Sequence, residues 1–177
     1  MRTKFIPLAA FLALWLLSIG NVAAQQAATS SVSAVKDALL VLGPTRQEPV
    51  HLTLDELKSM KHVPIKVHNP HADRDETYDG VRLVDLLSKL GTPLGDQLRG
   101  KALSSYIVAK GSDGYTTVLS IAEVDPEFHP GEVLVADAMD GKPLDAHSGP
   151  LKLVVSEDKH PARSVRNLIS IEVKPAQ

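Results

Sequence analysis

Apolar residues recur along this chain in short bursts, and the spacing inside each burst predicts an element. Val50, Leu52 and Leu54 alternate with His51 and Thr53, and Val63, Ile65 and Val67 alternate with polar neighbours over residues 62–68; a period of two predicts strands. Residues 38–42 form a short apolar run stopped by Gly43 and Pro44, which also reads as a strand. Leu83, Leu86, Leu87 and Leu90 share one helical face, so a helix is expected over residues 81–90, ended by Gly91 and Pro93. Thr53 followed by Glu56 has capping-box spacing and predicts a short helix over 54–60. Further strands are expected at 103–109, 115–120, 132–136, 151–156 and 168–174, with a helical turn at 121–124. Asp140-Gly141 marks a turn between the strands at 132–136 and 151–156. Strands outnumber helices, and tight turns alternate with helical connections. The expected class is α/β, a mixed sheet with helices packed on it, without internal repeats.

The N-terminus carries a different pattern. Arg2 and Lys4 precede an apolar run from Phe5 to Ile19, followed by the small residues Ala23 and Ala24, as in an export signal cleaved after Ala24. Roughly 15 apolar residues are too few to cross a bilayer, and no basic stop-transfer cluster follows. Residues 1–24 are therefore expected to be a signal peptide and 25–35, rich in Ala, Gln and Ser, a disordered lead-in. One domain is expected over 36–177, located in the periplasm or secreted, with no stable membrane insertion. No cysteine is present to crosslink the chain or carry a lipid. Without Arg2 and Lys4, 17 basic residues face 21 acidic ones, a balance that disfavours nucleic acid as a partner.

Two clusters carry candidate chemistry. His68, His71, Asp73, Asp75 and Glu76 follow a predicted strand, and imidazoles three apart beside carboxylates suit zinc or copper; the other reading is a solvated polar loop. Arg163, Ser164 and Arg166 put two guanidinium groups and a hydroxyl into one turn, with Lys159 and His160 upstream. Such a turn offers several donors to one anion, or is simply a solvated basic turn. A serine-hydrolase elbow and a nucleotide-binding glycine loop are both missing.

Read in order, Tyr78-Asp-Gly-Val-Arg-Leu-Val-Asp-Leu-Leu87, Asp113-Gly-Tyr115, Val133-Leu-Val-Ala136, Asp140-Gly-Lys-Pro-Leu144, His147-Ser-Gly-Pro-Leu-Lys-Leu-Val-Val155 and Ala162-Arg-Ser-Val-Arg166 resemble the molybdopterin-binding domain of the sulfite oxidase family. The resemblance implies a mixed α/β fold that cradles a phosphate-bearing pterin whose sulfurs hold molybdenum, a protein cysteine adding another thiolate. It further implies that Arg163, Ser164 and Arg166 meet the phosphate with His160 beside it, and that His147 is the family's histidine before the Gly-Pro strand entry. The family's cysteine would fall within 67–79, where this chain has none and His68 stands.

Three functions follow as expectations. The first is a noncatalytic module for a pterin cofactor or another small anion, holding molybdopterin without molybdenum. The second is a molybdopterin-dependent oxidoreductase in which His68 or water replaces the thiolate. The third is a metal-handling or interaction protein that works through residues 68–76.

Overall fold

The computed structural model describes residues 38–43 and 48–176. The expected signal peptide and lead-in lie outside the described residues. Among the described residues ten strands form two five-stranded sheets. In the first, β1 (Ala38–Leu42) pairs in parallel with β10 (Leu168–Pro175) and antiparallel with β2 (Val50–Thr53). β10 then pairs antiparallel with β5 (Ser105–Gly111), and β5 with β6 (Thr116–Ser120). The second sheet runs β3 (His62–Asn69), β4 (Arg74–Arg82), β7 (Val133–Met139) and β9 (Lys152–Val155), with the two-residue β8 (Lys142–Pro143) also paired to β7.

The main core joins Leu39, Val41, Ile107, Ala109, Ile171 and Val173 of the first sheet to Val81, Val133, Val135, Leu153 and Val155 of the second. Alternation leaves Ile65, Tyr78, Leu134, Ala136 and Val154 in a second cluster on the opposite face. Both faces of β7 and β9 are therefore buried, which is why their sequences read as unbroken apolar runs.

Helix α1 (Leu54–Ser59) begins at the expected capping box: the Glu56 N–H donates to Thr53 Oγ1 at 3.2 Å, and Glu56 Oε2 accepts from the Thr53 N–H at 2.8 Å. Helix α2 (Leu83–Lys89) buries Leu83, Leu86 and Leu87 completely, worth roughly 2 kcal/mol apiece. It starts two residues later than its periodicity suggests, because Val81 pairs within the sheet with His62 and Val135. Residues 100–104 wind into a tight helical turn instead of opening β5, which leaves Leu103 exposed. The turn at Asp140-Gly141 has positive φ at both residues, as a two-residue hairpin requires, and it joins β7 to β8 before the chain reaches β9.

The expected polar loop at 68–76 is corrected. β3 continues to Asn69, β4 already starts at Arg74, and only a tight turn lies between them. Asn69 Oδ1 closes that turn by accepting the N–H groups of His71 at 3.0 Å and Ala72 at 3.3 Å. Among the described residues no helix is long and apolar enough to cross a membrane.

Candidate functional site

Val165 decides where the basic turn points. Its N–H and C=O exchange bonds with Leu153 at 3.0 and 2.8 Å, extending the second sheet by one bridge beyond β9. Val165 and Leu153 are fully buried in the main core. Side chains alternate along an extended chain, so Ser164 and Arg166 flank Val165 on the other face, the face that β9 gives to Lys152 and Val154. Gly111 lets the hairpin between β5 and β6 dock here: a Cβ there would lie 2.7 Å from the Arg166 carbonyl and 2.9 Å from Asp113 Oδ1. The Ser112 N–H bonds the Asn167 carbonyl at 2.9 Å and fixes the contact.

A cavity of about 530 Å³ results, lined by His71, Asp113, Tyr115, Lys152, the 160–162 segment, Ser164 and Arg166. Tyr115 donates to the Ala162 carbonyl and ties the hairpin to the basic turn. Arg166 Nη1 contacts His147 Nε2; a guanidinium has only donors, so the ring nitrogen accepts. His147 itself is not part of the cavity wall.

Lys152 enters this wall across small residues. Gly80, Ala136 and Lys152 stand in one row across β4, β7 and β9. A Cβ at Gly80 would lie 2.2 Å from the Val135 carbonyl oxygen, so only glycine permits that strand approach. The Lys152 ammonium sits 4.4 Å over the Tyr78 ring and donates to the Tyr78 hydroxyl at 2.7 Å. Burial pulls this lysine below the usual range, and the charge of Arg166 adds to the fall, against Glu76 and Asp145. Among the described residues neither Lys152 nor Arg166 forms an ion pair with a carboxylate, while Ser164 Oγ accepts weakly from the Val155 N–H at 3.4 Å.

Of the residues expected at a phosphate, His160, Ser164 and Arg166 line the cavity and Arg163 does not. Arg163 is engaged elsewhere instead. Its guanidinium forks onto Asp158 at 2.9 and 2.5 Å and reaches Glu123 at 2.6 Å. Two carboxylates already match its charge, and their hydrogen bonds raise its pKa above the usual arginine value.

For the metal site expected at His68 and His71, among the described residues no group of three or more His, Asp or Glu side chains is arranged to hold a metal ion. The β3–β4 register sets His68 opposite Asp75, with Nδ1 at 3.2 Å from its carboxylate, while His71 lies in the turn and faces the cavity. Sequence reasoning did not pick out Lys152, Tyr115 or Asp113 as site residues. The visible signal for Lys152 was one cation opening an otherwise apolar strand.

Comparison with known proteins agrees with this architecture. The crystal structure of the sulfane dehydrogenase SoxCD from Paracoccus pantotrophus superposes with a TM-score of 0.59 at 15% sequence identity, over 78% of this chain. The matched part is 38% of that protein's chain, so the likeness is one of fold. No curated protein matches the sequence. The family model described as the oxidoreductase molybdopterin binding domain matches residues 27–177. The chain thus belongs to the oxidoreductase molybdopterin-binding domain family, with the sulfite oxidase-type fold that its sequence motifs suggested.

Proposed function

We propose that this chain is an exported, noncatalytic binding module that holds a pterin cofactor by its phosphate, or another anionic small molecule, in the cavity between Lys152 and Arg166. One observation carries the reading: two cations without carboxylate partners among the described residues line a single cavity, with a hydroxyl and two imidazoles beside them. Its volume lies within the usual range for small-molecule sites. Lysine and arginine are the residues that phosphate oxygens select, the first as a point charge and the second as a fork.

The donor set fits the phosphate-bearing organic part of molybdopterin. Lys152, Arg166 and Ser164 would hold the phosphate, with His160 beside it. The metal end does not fit in the same way. The family's thiolate ligand has no counterpart, because the chain has no cysteine. When bound, the cofactor would supply a redox-active pterin, and the protein residues would bind and orient it. Export is supported by the pattern of residues 1–24, and a protein recovered from the periplasm with Gln25 as its first residue would bear that out.

Calorimetric titration of the mature protein with pyrophosphate and with a pterin phosphate tests the site. Lys152→Ala and Arg166→Ala are each expected to weaken binding about tenfold or more, the loss of one charge-assisted contact. Unchanged affinity in both variants removes the cavity from the function. Protein from its native compartment is then assayed for molybdenum and for fluorescent oxidised pterin. Pterin without molybdenum supports the module; both together, with redox turnover, replace it by an oxidoreductase in which water or an imidazole takes the thiolate's place.

A further inference from the structure

Behind the cavity wall runs a hydrogen-bonded chain that no sequence motif marks. Lys152 Nζ donates to the Tyr78 hydroxyl at 2.7 Å, and that hydroxyl donates to Glu76 Oε2, also at 2.7 Å. The direction of both bonds is forced. An ammonium has only donors, an ionised carboxylate only acceptors, and a phenol one proton and two lone pairs. The phenol proton therefore points to Glu76 and the phenol lone pair receives the lysine.

Glu76 is buried, 7% exposed, and held from two further sides by Asn69 Nδ2 at 2.8 Å and Arg74 Nη2 at 3.2 Å. Burial pushes its carboxyl up, but the Asn69 and Tyr78 hydrogen bonds and the charges of Arg74 and Lys152 outweigh this and keep it ionised. The charged groups that face Lys152 are Glu76 from β4, Asp145 from the turn before β9, and Arg166 from the bridge beyond it. Asp113, His71 and His160 share its cavity. A buried carboxylate thus balances the lysine from inside the fold, with Asp113 the carboxylate on the cavity side.

We propose that Glu76, acting through Tyr78, is a positioning residue that keeps Lys152 cationic and turned as a donor, and so sets the pH above which the cavity stops accepting anions. The inference rests on the reading of the cavity as an anion site. Neither residue lines that cavity, so neither would touch the ligand.

The state of Lys152 can be read without any ligand. Trace acylation of the mature protein across a pH series, quantified at the Lys152 peptide by mass spectrometry, gives the pH midpoint of that amine. Tyr78→Phe keeps the ring under the ammonium and removes only the hydroxyl, whereas Glu76→Gln keeps the shape and removes the charge. In both variants the midpoint is expected to fall by about one pH unit, making Lys152 about tenfold more reactive at a fixed pH below it. Pyrophosphate affinity should then begin to drop about one pH unit lower in the variants than in the wild type. A Tyr78→Phe protein that melts like the wild type and shows an unshifted Lys152 midpoint overturns the relay, whatever Glu76→Gln does to folding. Shifted midpoints in a protein that binds pyrophosphate at no pH leave the relay standing and remove the anion site instead.

Discussion

Arg163→Ala separates a structural arginine from a ligand-binding one, and its size can be worked from the contacts. The substitution deletes three charge-assisted bonds, two to Asp158 and one to Glu123. Each would be worth about 1.5–3 kcal/mol if buried. The side chains of Arg163, Asp158 and Glu123 are 36, 15 and 33% exposed, so solvent screens the Glu123 contact most and the sum must be cut. A net loss of about 1–3 kcal/mol follows, or a Tm lowered by roughly 3–9 °C for a domain of this size. The effect should depend on pH. Burial pushes the Glu123 carboxyl up, but the bonds from Arg163 and the Ser120 N–H outweigh it and hold the group below its ordinary 4.5. A carboxyl lowered in the fold contributes fully above its unfolded value, and that contribution vanishes as the pH falls through the folded value. The gap between wild type and variant should therefore be complete near neutrality and narrow below about pH 4. Thermal melts at both pH values measure it, and pyrophosphate titration at neutral pH should change by less than about twofold. A variant that melts like the wild type yet loses the anion would place Arg163 in the cavity and refute the assignment.

Substitutions at three further positions test the scaffold. Gly111→Ala forces a Cβ to 2.7 Å from the Arg166 carbonyl, so the hairpin must retreat; anion affinity is expected to fall about tenfold by calorimetry, with a smaller loss of stability. Gly80→Ala meets the backbone of Val135 and Ala136 at 2.2 and 2.5 Å, which a rotamer change cannot relieve; urea unfolding should show a loss of about 3 kcal/mol or more. Thr53→Ala removes the α1 cap at a cost of about 1 kcal/mol, and Thr53→Ser should restore most of it in the same assay, with anion binding unaltered.

What was legible in the sequence is what local chemistry decides. The Thr53–Glu56 cap, the leucine stripe of α2 and the alternation of β3 each need only a few neighbouring residues, and each forms as read. β4 was hidden because its buried positions include Glu76 and Tyr78, polar residues that can be buried only with partners from Asn69, Arg74 and Lys152. The site divides the same way. Ser164 and Arg166 could be picked from one turn, but Arg163 looked equivalent to them. Asp158 lies only five residues upstream of it, but its second partner Glu123 is 40 residues away and the Lys152–Tyr78 contact spans 74, so these two contacts could not be seen from local spacing.

The separation of the two ends of the pocket makes a noncatalytic module physically coherent. The anion end is built by β9, the bridge at Val165 and the β5–β6 hairpin, and a one-residue slip at that bridge would exchange the buried Val165 for Arg166. Burying an unpaired guanidinium in the main core is costly enough to fix the register, so core packing alone holds Ser164 and Arg166 toward the cavity. The family's thiolate would come from another part of the chain, within 67–79, whose one contribution to this cavity wall is His71. The same stretch supplies Tyr78 and Glu76 behind Lys152, whereas the Leu153–Val165 pairing and the docking at Gly111 are made by other segments. The lack of cysteine accordingly leaves the donor set of the cavity untouched, since nothing that positions Lys152, Ser164 or Arg166 depends on sulfur.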